Sequence, residues 1–137
     1  MKKIDFPRFF SERLQGFTLP MEGLMQVVDY DEVFNLDLST GSFEVLDKGP
    51  EMFEHGPEGF LGRSDNPPLL AVGSKSVSYD FNRSSNSIEV RVVVHGLEHT
   101  ITVPILSGDW FIASLSPDGR YLVVAEPYLI EVYALES

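Results

Sequence analysis

The chain has 137 residues, 21 of them acidic and 10 basic, with a formal net charge of −11 and no cysteine. Its length fits a single domain over residues 1–137, and its 43% apolar share argues against disorder. The missing cysteine excludes disulfides, thiolate zinc sites and cysteine nucleophiles. The acidic excess argues against binding to nucleic-acid phosphates or anionic lipid.

The opening Met1-Lys2-Lys3-Ile4-Asp5-Phe6-Pro7 has the charged start of a secretion signal. Asp5, Pro7 and Arg8 interrupt any apolar core behind it. No stretch approaches the ~20 apolar residues of a membrane helix, so a soluble cytoplasmic protein is expected. Phe6, Phe10, Leu14 and Phe17 recur at near-helical spacing and predict one short helix over residues 6–15. Asp5 would cap it, Pro7 would sit in its first turn and Gly16 would end it.

From Leu24 onward the pattern changes to strands and turns. Strands are expected near 24–30, 32–38, 43–47, 76–82, 88–95, 98–105, 109–116, 121–126 and 129–135. The expected fold is therefore mainly β: an antiparallel meander of about nine strands, curled into a half-barrel or folded into a sandwich, with the short N-terminal helix. A four-residue loop at Ser39-Thr40-Gly41-Ser42 sets Leu38 opposite Phe43. A type II′ turn at Gly96-Leu97 pairs His95 with Glu98 and Val92 with Ile101. One face of that hairpin is then β-branched and the other polar, which reads as one buried and one wet face. A turn through Ser116-Pro117-Asp118-Gly119-Arg120 sets Leu115 opposite Tyr121. Both faces of those two strands are apolar, so they should lie centrally and be covered on both sides.

Residues 47–75 break the strand pattern and read as a long loop inside the domain. It contains Gly49-Pro50-Glu51, Gly56-Pro57-Glu58 and Pro67-Pro68, together with Met52, Phe53, Phe60 and Leu61. Two roles fit such a loop: a contact surface bearing aromatic anchors, or a lid folded back on the core.

The stretch from Trp110 to Ala125 holds Ser-Pro-Asp-Gly-Arg-Tyr-Leu between two apolar runs, and Glu131-Val132-Tyr133-Ala134-Leu135 follows it. Residues 110–135 resemble the hairpin of a β-propeller blade, and Val33–Gly41 is similar to the outer part of another. A whole propeller needs at least four blades of ~40–45 residues, more than this chain supplies. The resemblance implies blade-like hairpins and no propeller function.

The three histidines give no metal site. On a hairpin, His95 and His99 project from opposite faces, and His95 reads as a surface partner of Glu98. No Gly-x-Ser-x-Gly elbow, phosphate loop or dinucleotide fingerprint occurs. Asp29, Asp31 and Glu32 sit at a strand turn, where solvation would keep them from catalytic work. No catalytic residue and no cofactor is expected, and the protein reads as a non-enzyme.

The charge itself is uneven. Residues 21–62 carry ten acidic groups and one basic group, whereas residues 63–100 balance at four each. Solubility is one reading of this. The other is a basic protein partner, steered in by the acidic segment. The contact residues would be Asp29, Asp31, Glu32, Glu51, Phe53, Glu54 and Glu58, with carboxylates steering and the aromatic ring anchoring. In being small, acidic, cysteine-free and without catalytic motifs, the chain is similar in character to bacterial immunity proteins, which implies an inhibitor of a basic protein. The alternatives are a barrel-like binder of small apolar ligands and a structural subunit of a larger β assembly.

Overall fold

The structure, a computed structural model, describes residues 1–8, 10 and 13–135. Among them are thirteen strands: β1 (Lys2–Lys3), β2 (Leu14–Thr18), β3 (Leu24–Asp29), β4 (Val33–Asp37), β5 (Ser42–Val45), β6 (Phe60–Gly62), β7 (Ala71–Val72), β8 (Lys75–Asn82), β9 (Ser87–Val94), β10 (Leu97–Pro104), β11 (Ile112–Leu115), β12 (Tyr121–Glu126) and β13 (Leu129–Ala134). They form three antiparallel sheets, ordered β1-β13-β12-β11, β5-β4-β3-β2-β6 and β10-β9-β8-β7. The chain is mainly β, as expected. Each of the nine expected strands overlies an observed one, but a single nine-stranded meander is replaced by three separate sheets.

The sheet containing β12 is the middle layer. Tyr121, Val123 and Ala125 pack with Leu14, Phe17, Val27 and Phe34 of the sheet containing β3. Leu122 and Val124, the alternate residues, pack with Val90, Val92 and Val103 of the sheet containing β9. Successive side chains of a strand point to opposite faces, so β12 is covered on both sides. Every one of its six residues is buried. Its wholly apolar run up to Ala125 is what such a position requires. β9 instead faces the core on one side only. Ile88, Val90, Val92 and Val94 are buried, while Glu89, Arg91 and Val93 between them are half-buried.

The helix expected over 6–15 does not form. Leu14–Thr18 is strand, residues 6–8, 10 and 13 have no regular structure, and Phe9, Ser11 and Glu12 lie outside the described residues. The apolar stripe is nevertheless buried, since Phe10, Leu14 and Phe17 share one cluster between two sheets. A β-bulge explains the interval between Leu14 and Phe17. Leu14 pairs with Asp29 but Gly16 pairs with Val28, so one extra residue enters β2. With that extra residue, Leu14 and Phe17 share a face although three apart in sequence. Gly16 is required because a Cβ there would stand 2.1 Å from the carbonyl oxygen of Leu61 in β6.

The hairpin registers also differ from expectation. His95 and Gly96 form the two-residue turn, with φ of 51° and 81°, and Val94 pairs with Leu97. Left-handed backbone at both positions is the type I′ geometry. Val92 thus faces His99 rather than Ile101, a shift of two that keeps the same side chains inward. His95 bonds Ser74 through Nδ1 at 3.1 Å, not Glu98. The loop after β4 likewise moves by two, so that Leu36 opposes Phe43. Leu115 pairs with Leu122 instead of Tyr121, a slip of one residue. Alternation cannot fix register where both faces are apolar.

The loop expected over 47–75 is largely organised. It carries a 3-10 turn (Pro50–Phe53), β6, β7 and the start of β8. Among the described residues, no helix is long and apolar enough to cross a membrane.

Candidate partner-binding cleft

The β3–β4 connection is built around Asp29. Its carboxylate accepts hydrogen bonds from the backbone N–H groups of Asp31 and Glu32 at 2.8 and 2.7 Å. The side chain is satisfied within its own turn, which turns Asp31 and Glu32 outward and exposed. Asp29 itself is only 1% exposed.

The 3-10 turn at Pro50–Phe53 lies against this same sheet. Phe53 is 6% exposed and packs with Val28, Val33 and Phe60, the two rings 5.1 Å apart. Lys48 adds a cation over the Phe53 ring at 5.7 Å and bonds Gln26 at 3.1 Å. With Phe53 anchored, Glu51 and Glu54 stand exposed on the outer side of the turn. The segment that follows is tied by Asn66, whose amide nitrogen lies 3.1, 2.9 and 2.9 Å from the carbonyls of Gly56, Pro57 and Phe60. Ser64 donates to the Phe60 carbonyl at 2.7 Å.

These anchors leave a cleft of two adjoining hollows, about 520 and 300 Å3, that share Glu54 and Arg63. Four carboxylates line it, from Glu51, Glu54, Asp65 and Asp109, together with the rings of Tyr30 and Trp110. Arg63 sits between the hollows, its Nη1 donating to the Tyr30 hydroxyl at 3.1 Å with the guanidinium 5.9 Å from that ring. Asp109 is ion-paired with Arg13. Desolvation works against the charge on Arg13, but the bond to Asp109 and the nearby Tyr30 and Tyr128 outweigh it, and its pKa is raised. Carboxylates set beside aromatic faces are complementary to ammonium and guanidinium groups.

The structure therefore gathers only part of the residue set expected from sequence. Glu51 and Glu54 line the cleft, with Asp31 and Glu32 exposed in the turn next to Tyr30. Glu58 lines a different hollow, with Thr18, Met21 and Pro117. Asp29 and Phe53 are buried; the first organises the turn and the second fixes the acidic segment. Tyr30, Arg63, Asp65, Asp109 and Trp110 were not legible as site residues. They come from three stretches of chain that meet only once the sheets have packed.

Among the described residues, no group of three or more histidine, aspartate or glutamate side chains is placed to hold a metal ion. Comparison with protein families, with characterised proteins and with solved structures finds no match.

Proposed function

We propose that the protein is a non-enzymatic binding module that docks a basic protein through the cleft around Glu51, Glu54, Asp65 and Asp109. An inhibitor or immunity-type role, in which a basic protein is held and blocked, is the concrete form of this reading. One observation carries it: four carboxylates from three separate segments of the chain converge on one concave surface that also presents Tyr30 and Trp110. The carboxylates would steer a cationic surface and the rings would pack against it.

The test is a pull-down from the native host lysate, comparing the wild type with the double variant Glu51→Gln, Glu54→Gln. Washes at about 0.05 M and about 0.5 M salt separate long-range steering from a packed interface, because the Debye length shortens across that range. The expected result is one stoichiometric basic protein that survives the high-salt wash on the wild type and is depleted on the variant. Equal retention by both, or no retained protein, would overturn the reading.

A further inference from the structure

Across the Asp109–Trp110 segment from the cleft lies a further hollow of about 140 Å3. Phe81, Ile88, Ile105, Trp110 and Phe111 line it, and Asp109 and Trp110 line the cleft as well. Phe81 is 61% exposed, so one wall is a large apolar ring left uncovered. The other walls are braced. Tyr79 meets Phe81 edge-on at 6.3 Å and Phe111 at 5.0 Å. Glu126, 3% exposed, accepts backbone hydrogen bonds from Leu106 and Ser107 at 3.0 Å and another from Tyr128. That carboxylate fixes the loop leading into Trp110, so the pocket exists before anything enters it. A preformed pocket spares a ligand the cost of ordering it.

The hollow is largely apolar, with Glu126 and Asp109 the charged residues in its lining, and an apolar cavity of about this volume holds one benzene ring. We propose that it receives a single aromatic side chain of the basic partner, whose flanking lysine or arginine meets the carboxylates of the cleft and shares Asp109 with Arg13. This inference rests on the cleft reading and deepens it: the partner is recognised by a ring next to positive charge. Contiguity supports it, since Asp109 and Trp110 line both this pocket and the larger hollow of the cleft. Charge supports it too, because a ring seated here places its neighbouring residues against an acidic surface.

The test titrates three capped tripeptides into the 15N-labelled protein: acetyl-Lys-Phe-Lys-amide, acetyl-Lys-Ala-Lys-amide and acetyl-Ser-Phe-Ser-amide. Burial of one ring predicts at least about tenfold tighter binding of Lys-Phe-Lys than of Lys-Ala-Lys. Lys-Phe-Lys should shift the amides of Gly108 and Phe111 as well as those of Glu51, Glu54 and Asp65. Lys-Ala-Lys should shift only the second set. Phe81→Ser, at an exposed position, should remove the affinity difference while the amide spectrum reports an intact fold. Equal binding of the two lysine peptides, both confined to the cleft, would overturn the pocket inference and leave the cleft reading standing. Equal binding of Ser-Phe-Ser and Lys-Phe-Lys at the pocket would overturn the link between ring and charge, and with it the cleft reading. No shift from any peptide at millimolar concentration would overturn both.

Discussion

The ammonium of Lys75 donates a 2.6 Å hydrogen bond to the carbonyl of Gly119, with Lys75 only 8% exposed. The bond joins the first residue of β8 to the turn between β11 and β12, so a polar latch closes one margin of the contact between two sheets. Lys75→Met keeps the aliphatic stem but strips the carbonyl of its donor. The expected cost is about 1–3 kcal/mol, read as a lower urea midpoint at unchanged slope. An unchanged midpoint would mean that water serves the carbonyl equally well.

Gly16→Ala tests the bulge in β2. The added Cβ would collide with the backbone of Leu61 and with the Phe60 ring, so β6 must move. A loss of about 1–3 kcal/mol is expected. Amide exchange should accelerate first at Leu61 and Gly62, which pair with Phe17 and Gly16, before it does so in β9.

The division between Glu51 and Glu54 on one side and Glu58 on the other can be read from kinetics with the captured partner. Glu51→Gln with Glu54→Gln should slow association roughly tenfold at low salt and flatten its salt dependence. Glu58→Gln, which alters a different hollow, should leave both unchanged. Equal effects from the two variants would assign the rate to overall charge and not to the cleft.

Tyr133 gives a pH signature. Burial, reinforced by the neighbouring Glu131 carboxylate, pushes its pKa up to about 12. An unfolded phenol ionises near ~10. Between those values the folded protein retains a proton that the unfolded chain releases, so stability is intact below pH ~10 and declines as pH rises toward about 12. Ultraviolet titration should show a late tyrosine step, and Tyr133→Phe should abolish that step. A Tyr133 that ionised with exposed tyrosines would contradict its burial against Leu122 and Val124.

What the sequence revealed depended on how one-sided each segment was. β9 alternates cleanly, and its buried face was legible even though its partner slid by two residues. The strands flanking Ser116–Arg120 are apolar on both faces; that predicted their central position but left their register open to a one-residue error. The N-terminal stripe misled in part because, at Leu14 and Phe17, a bulge gives a strand the same three-residue spacing that a helix would show, while Phe6 and Phe10 are buried or half-buried without regular structure. Glu51 and Glu54 were visible through local charge density. Trp110 and Asp65 were not, since their role follows from where two sheets bring distant turns together. Phe53 shows the reverse case, an aromatic in an acidic segment that holds that segment down instead of facing outward.

The layering also governs the order in which the molecule can assemble. The middle sheet takes its three longer strands from residues 112–134 and its edge from Lys2–Lys3, so it is finished last during synthesis. Until then the inner faces of both outer sheets, with Val27, Phe34, Val90 and Val92, have nothing to lie against. The emerging chain thus carries two open apolar surfaces that close only when residues 112–134 leave the ribosome. Folding should be late, cooperative and slow, as contacts between distant parts of a chain make it. Removal of β13 should release both outer layers at once.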